Sequence, residues 1–137
     1  WSLGGGVMAS NLTVDSISKG ATTVNTDEIV DTNSNQICKA WVNFNGTGTV
    51  AIRDSYNVSS VTDNGVGIYT INMTAALANA DYSVVGVCGG VATNNVFSLG
   101  GAGFLPTLTT TTFTARTMND AGSVQDKTHV CIQVFGD

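Results

Sequence analysis

Residues 39–58 read KAWVNFNGTGTVAIRDSYNV, and their pattern indicates the fold class of the whole chain. Apolar and polar side chains alternate on both sides of a central Asn-Gly-Thr-Gly segment, which is the period of a β-strand with one buried face. Asn45-Gly46 accepts positive φ at little cost and therefore predicts a hairpin turn. The residues that share the buried face of the first strand are Ala40, Val42 and Phe44.

The alternation recurs along the rest of the chain. Val50 and Ile52 restart it after the turn, and Tyr56 and Val58 continue it. Asp63-Asn64-Gly65 predicts the next turn. The residues that line one face of the strand after this turn are Tyr69, Ile71 and Met73, and TAALANAD at 74–81 reads as a loop or a single helical turn.

The second half of the chain contains further strand patterns. YSVVGVCGGV at 82–91 is apolar on both faces, as expected of a strand in the middle of a sandwich or against another subunit. Strands are also predicted at 96–99, at 107–116 and at 129–135. About eight strands, with no sustained helical periodicity, predict an all-β fold: an antiparallel β-sandwich.

The composition excludes several kinds of partner. The 137 residues are 42% hydrophobic but only 11% charged, against about 25% in an average domain, so solubility rests on Thr, Asn, Ser and Gly. The net charge is −5 and the five basic residues are scattered, which argues against binding to nucleic acid. No apolar run reaches the roughly 18 residues that a membrane-spanning helix needs, so no membrane insertion is expected.

Residues 1–35 are predicted to be an N-terminal stem for attachment and oligomerisation, and residues 36–137 a β-sandwich head. The chain begins at Trp1, as a fragment, a processed product or a tagged chain would, and Met8 is a candidate natural start. LTVDSI and VNTDEI echo each other twelve residues apart, as short units that are stable only when stacked on neighbours or on other copies. The apolar positions of these units, and the predicted oligomer contacts of the stem, are Leu12, Ile17, Val24 and Ile29.

The residues that carry chemistry do not form a recognisable site. The single histidine, His129, has no acid, cysteine or second histidine at ligand spacing, and it is interpreted as structural or solvated. Three cysteines without a Cys-x-x-Cys spacing read as small hydrophobic side chains, with one intrachain or intersubunit bridge left open. No nucleophile motif is present. The prediction is a protein that is not an enzyme, with no catalytic residue, metal or cofactor.

Residues 37–86 resemble a module of tail-fibre and related virion proteins of tailed bacteriophages, marine ones in particular. The phrases that carry the resemblance are AWVNFNGTGTVAIR (40–53), NVSSVTDNGVGIYTINMT (57–74) and NADYSVVG (79–86), with VCIQVF (130–135) closing the module. MASNLTVDSI at 8–17 is more weakly similar to the openings of small phage structural proteins. The resemblance implies a homotrimeric virion appendage with a C-terminal β-sandwich head and no catalytic residues.

The functional hypothesis is therefore a tail-fibre or appendage subunit of the virion that takes part in host attachment. The alternatives are a capsid fibre, decoration or adaptor protein that binds only other virion proteins, a secreted adhesin or carbohydrate-binding module, and an enzyme. Trp41 lies opposite the buried face of its strand and is predicted to contact another protomer. A host glycan or protein is expected at polar loops, with candidate residues Asn94, Asn95, Asn119 and Asp120.

Overall fold

The computed structural model describes five parts of the chain, all of whose regular structure is β. They are residues 16–19, 22–25, 37–90, 95–100 and 107–136. The chain divides into two compact units, residues 1–32 and residues 33–137, and each is considered by itself. The predicted boundary at residue 35 lies outside the described residues. Nowhere in these five parts is there a helix long and apolar enough to cross a membrane.

The described residues of the first unit form one hairpin. β1 (Ser16–Lys19) pairs antiparallel with β2 (Thr22–Asn25), and Ile17 lies opposite Val24 in the register. The prediction placed these two residues in separate repeat units, whereas the hairpin makes them cross-strand partners. The other apolar positions of the predicted stem, Leu12 and Ile29, lie outside the described residues.

The second unit consists of two four-stranded antiparallel sheets, which confirms the all-β antiparallel prediction. Sheet 1 has the strand order β4-β3-β10-β7, and sheet 2 has the order β5-β6-β9-β8. The strands are β3 (Cys38–Asn45), β4 (Ala51–Tyr56), β5 (Val58–Asp63), β6 (Ile68–Met73), β7 (Ser83–Gly89), β8 (Val96–Leu99), β9 (Thr112–Met118) and β10 (His129–Phe135).

The two sheets share one hydrophobic core, which makes the unit sandwich-like. The alternating residues of β3 and β6 that were predicted to face inward are all buried. Phe44 of sheet 1 meets Tyr69 of sheet 2 edge to face, with ring centroids 5.0 Å apart. Tyr82 and Phe113 form a second edge-to-face pair at 6.2 Å. Such pairs add to the stabilisation that comes from burial of the rings.

The β3–β4 hairpin forms as predicted, but the reason that glycine is needed at position 46 differs from the predicted one. The positive φ of this turn belongs to Gly48, at 63°. Gly46 is buried and is required by close packing, because a Cβ at this position would collide with the Tyr69 hydroxyl group. The Gly46 N–H also donates to the Lys127 carbonyl at 2.9 Å.

Between β4 and β5 the chain passes from sheet 1 to sheet 2 through a single residue, Asn57. Its φ of 53° lies in the left-handed region, which Asn tolerates better than most side chains. Tyr56 therefore ends β4 on the outer face of sheet 1, 58% exposed, whereas Val58 begins β5 in the core. The prediction that these two residues continue one strand is wrong, because the corner at Asn57 reverses which side faces the interior.

β7 was expected in the middle of a sandwich or against another subunit, and the first of these alternatives is wrong. β7 is the edge strand of sheet 1, paired only with β10 within the described sheet. Val84 packs against the core, whereas Val85 and Val87 on the opposite face are 55% and 65% exposed. The apolar character on both faces of this strand is thus not explained by the sheet itself.

The strand registers define two ends of the second unit. At the entry end, Cys38 of β3 lies opposite Phe135 of β10, close to Asn57 and the loop 74–82. The far end carries the turns at 46–50, 64–67 and 119–128. Backbone hydrogen bonds from Gly46 to Lys127 and from Thr117 to Gly67 tie these turns together.

Candidate functional site

The described residues do not assemble a recognisable catalytic or metal centre. Within these parts of the chain, no three His, Cys, Asp or Glu side chains come together as potential ligands. His129 is exposed, and its Nδ1 lies 3.2 Å from the Thr128 hydroxyl. The three cysteines, Cys38, Cys88 and Cys131, are partly buried free thiols. Burial raises the pKa of the Cys88 thiol, which keeps it in the unreactive protonated form.

The loop residues predicted to bind a receptor are brought together only in part. Asn94 lies outside the described residues. Asn95 is exposed just before β8, at the far end, where the register pairs Val96 with Met118. Asn119 and Asp120 follow Met118 directly, so their turn lies at this end as well. The Asn119 side chain accepts the Ser123 N–H at 2.8 Å and thereby shapes its own turn.

A buried polar cluster fixes the far end. The Tyr69 hydroxyl lies 3.1 Å from the Gly46 carbonyl and 3.0 Å from Asp126 Oδ1. The same carboxylate oxygen accepts the Gly67 N–H at 2.6 Å. Burial, together with the hydrogen bond to Asp126, raises the pKa of the Tyr69 phenol. The cluster links the turns at 46–50, 64–67 and 119–128, the last of which carries the predicted residues Asn119 and Asp120.

Lys127 contributes an unusual buried charge next to this cluster. Its side chain is only 2% exposed, and its Nζ donates to the Gln125 side-chain oxygen at 3.1 Å. A buried ammonium group is costly unless it is paired and hydrogen-bonded. The amide of Gln125 is therefore a structural requirement of the far end rather than a free recognition group.

Trp41 lies on the outer face of sheet 1, as its alternation predicted, and it is partly exposed. Two rows of side chains cross this face. One row contains Tyr56, Trp41, Gln133 and Val85, and the next contains Asp54, Asn43, Cys131 and Val87. A shallow depression of about 250 Å³ lies on the side of the face nearest β7. We call Trp41, Val85, Val87 and Cys131 the apolar face.

The outer face of sheet 2 has the opposite character. Its rows consist mainly of hydroxyl and amide side chains, and these bond to one another. Asn72 Nδ2 lies 3.1 Å from both the Ser60 and the Thr62 hydroxyls, and Asn64 Nδ2 donates to the Thr70 hydroxyl at 2.7 Å. Polar uncharged side chains thus cover the outer face of sheet 2, whereas the outer face of sheet 1 carries an apolar patch.

The corner at the entry end forms an open depression of about 490 Å³. Its lining residues are Lys39, Tyr56, Asn57, Thr74, Ala75, Ala76, Leu77 and Ala78. We call it the corner depression. The polar break at Asn57 and the alanine-rich loop that follows Met73 are visible in the sequence, but only the crossing between sheets brings these segments together.

Comparison of the chain with protein-family models, with curated proteins and with solved structures finds no match.

Proposed function

We propose that this chain is a subunit of a homotrimeric bacteriophage fibre or appendage that takes part in host attachment. The observation that carries the proposal is the apolar face of sheet 1. Val85 and Val87 are more than half exposed there; Val87 lies next to Cys131 in the register, and Gln133 separates Val85 from Trp41. Exposed apolar side chains grouped on one face are a candidate contact surface, and the outer face of sheet 2 carries hydroxyl and amide side chains instead.

The size of the apolar face bears on how the subunits associate. The apolar face spans three strands about 4.8 Å apart, over about three residues at about 3.3 Å along each, which gives roughly 140 Å². A stable interface buries about 800 Å² per partner. The face alone is too small, and residues 1–35 supply the remaining contact in the proposed trimer. The proposal thus uses both the stem and the head.

The loops that were predicted to bind a receptor lie at one end of the second unit. β3 begins at the entry end, so residues that precede it connect there, and the turns at Asn95 and at Asn119–Gly122 lie at the opposite end. The resemblance of residues 37–86 to tail-fibre modules supports the attachment part of the proposal.

Light scattering on the full chain tests the trimer. The expected mass is three times the 14.1 kDa of one chain. Val87→Asp should convert the trimer to monomer, because a carboxylate would be buried in the interface. Val66→Asp is the matched control, since Val66 is 59% exposed in a far-end turn, and this variant should remain trimeric. A monomeric wild type, or an unchanged mass for Val87→Asp, would refute the proposed interface.

Binding of the labelled trimer to a panel of bacterial cells tests attachment. Binding that is lost when surface polysaccharide is removed enzymatically supports host recognition through a glycan. A stable trimer that binds none of the cells favours the alternative, a subunit that contacts only other virion proteins.

A further inference from the structure

Three functional side chains around the corner depression are uncommitted. Lys39, Tyr56 and Thr74 line it, and the side chains of these residues make no hydrogen bond or ion pair with the described part of the chain. The Tyr56 ring is 58% exposed. Among the described residues that line the depression, none is acidic. The depression therefore offers an ammonium group, an aromatic face and a hydroxyl group without an opposing negative charge.

The walls of the depression are fixed by hydrogen bonds. Asn57 Oδ1 accepts the Ala75 N–H at 2.7 Å, and Asn57 Nδ2 donates to the Lys39 carbonyl at 3.1 Å. The Thr74 N–H donates to the Asn57 carbonyl, and the Leu77 N–H donates to the Thr110 carbonyl. Because the Asn57 amide is used in this way, it holds the wall and leaves recognition to the three uncommitted side chains. A preformed wall lowers the ordering cost of binding.

The shape and chemistry of the depression fit a sugar better than a larger partner. Its volume of about 490 Å³ lies within the range of about 300–1,000 Å³ that is typical of small-molecule sites. Ala75, Ala76, Leu77 and Ala78 form the apolar part of the lining. An aromatic ring beside hydroxyl and ammonium donors suits a ring with one apolar C–H face and an anionic substituent.

We propose that the corner depression binds a carboxylated sugar residue of a cell-surface polysaccharide. The Tyr56 ring stacks on the C–H face of the sugar, the Lys39 ammonium pairs with the carboxylate, and the Thr74 hydroxyl bonds to a ring hydroxyl. This inference rests on the proposed attachment function and names its ligand class. It places the recognition site at the entry end, whereas the loops predicted from the sequence lie at the far end.

A ligand-observed NMR titration of the full chain tests the site with a matched pair of probes. Methyl β-D-glucuronide and methyl β-D-glucoside differ only in a carboxylate in place of a hydroxymethyl group. We expect the glucuronide to bind about fivefold more tightly at low salt, as a partly exposed ion pair allows. The preference should shrink at high ionic strength, where charge interactions are screened. Acetate is the third probe and should not compete at equal concentration.

Two variants separate the contribution of the ion pair from that of ring stacking. Lys39→Gln should reduce glucuronide affinity to that of the glucoside and leave the glucoside unchanged. Tyr56→Ala should weaken both sugars, by up to about tenfold, because stacking does not depend on the carboxylate. Asn95→Ala at the far end and Gln133→Ala on the outer face of sheet 1 are controls that should bind both sugars as the wild type does.

Equal affinity for the two sugars, competition by acetate, or a loss of binding in the Asn95→Ala control would overturn the inference. The mass from light scattering distinguishes a failure of this inference from a failure of the proposed function. A trimer without sugar binding removes the corner site and leaves the appendage assignment, whereas sugar binding by a monomer supports the site and removes the trimer.

Discussion

Two glycines with the same backbone conformation allow a sharp test of how the far end is packed. Gly48 and Gly67 have φ of 63° and 64°. A Cβ at Gly48 would meet nothing within 4 Å. A Cβ at Gly67 would lie 2.5 Å from the Thr117 carbonyl oxygen and 2.7 and 2.8 Å from the backbone N and O of Gln125. Replacement of each by Ala changes φ preference equally, so the difference between the variants isolates the steric contact.

The magnitudes follow from these surroundings. At both positions, left-handed strain of about 1–2 kcal/mol is partly offset by about 0.4–1 kcal/mol of lost freedom in the unfolded chain. Gly48→Ala should therefore lower the free energy of unfolding by about 1 kcal/mol or less. Gly67→Ala adds overpacking of about 1–3 kcal/mol, and it disturbs a backbone bond from Thr117 worth about 1 kcal/mol. Its total should be about 3–4 kcal/mol.

Equilibrium unfolding in urea, followed by far-ultraviolet circular dichroism, measures both variants under one condition. With a slope of about 1–1.5 kcal/mol per molar urea for a domain of this size, the two midpoints should differ by about 2 M. The contacts at Gly67 are with backbone atoms, which cannot rotate away as a side chain can. Equal midpoints for Gly48→Ala and Gly67→Ala would show that the turn at 64–67 is not packed against residues 117 and 125.

Three further predictions concern single side chains. Burial raises the pKa of Tyr82 to about 12, above its unfolded value of about 10, so stability should be intact below pH 10 and decline as the pH rises to 12. Urea midpoints across this range should fall less steeply in Tyr82→Phe, and an identical slope would contradict the assignment. Asn57→Gly keeps the left-handed φ but loses the side-chain bond to Ala75, so it should lower the free energy of unfolding by about 1–2 kcal/mol. Asn57→Ala should lower it by about 1 kcal/mol more, because Ala is strained at this φ. Equal thermal denaturation midpoints for the two variants would refute this. Gln125→Leu should lower the free energy of unfolding by about 2–3 kcal/mol, because it leaves the Lys127 ammonium buried without its acceptor. Lys127→Met removes the buried charge itself and should lie within about 1 kcal/mol of wild type in urea unfolding. The reverse order would show that the ammonium is solvated.

The strands with one buried face could be predicted from the sequence. The alternation in β3, β6 and β10 reports burial on one side directly, because the side-chain period of a strand is two residues. The predicted inward residues of β3, from Ala40 to Phe44, are all buried. Such a pattern fixes which side of a strand faces the core, and it says nothing about which strand lies next to it.

The corner at Asn57 could not be predicted in this way. Tyr56 and Val58 preserve the alternation in the sequence, yet they belong to different sheets. A left-handed residue between them turns the chain, and that conformation is set by the bonds of Asn57 to Lys39 and Ala75, each of which is 18 residues away in the sequence. The corner depression was missed for the same reason, because its walls meet only after this turn.

The surface predictions show a similar division. The outward direction of Trp41 followed from its place in the alternation, whereas the apolar run that contains Val85 and Val87 predicted a strand in the middle of a sandwich or against another subunit. Their strand is at an edge, and their exposure became visible only with the sheet order. Hydrophobicity in a sequence does not distinguish a residue covered by its own chain from one that is uncovered in the isolated subunit.

The pairing of Cys38 with Phe135 brings the start of β3 next to the end of β10. Neighbouring strands place such partners about 5 Å apart, so a linker of a few glycines would join the end of β10 to the start of β3. New termini could then be opened in the exposed turn at Ala121-Gly122. A permutant of this kind would carry its termini at the far end, and attachment to a support through them would leave the corner depression at the opposite end, accessible to a soluble polysaccharide.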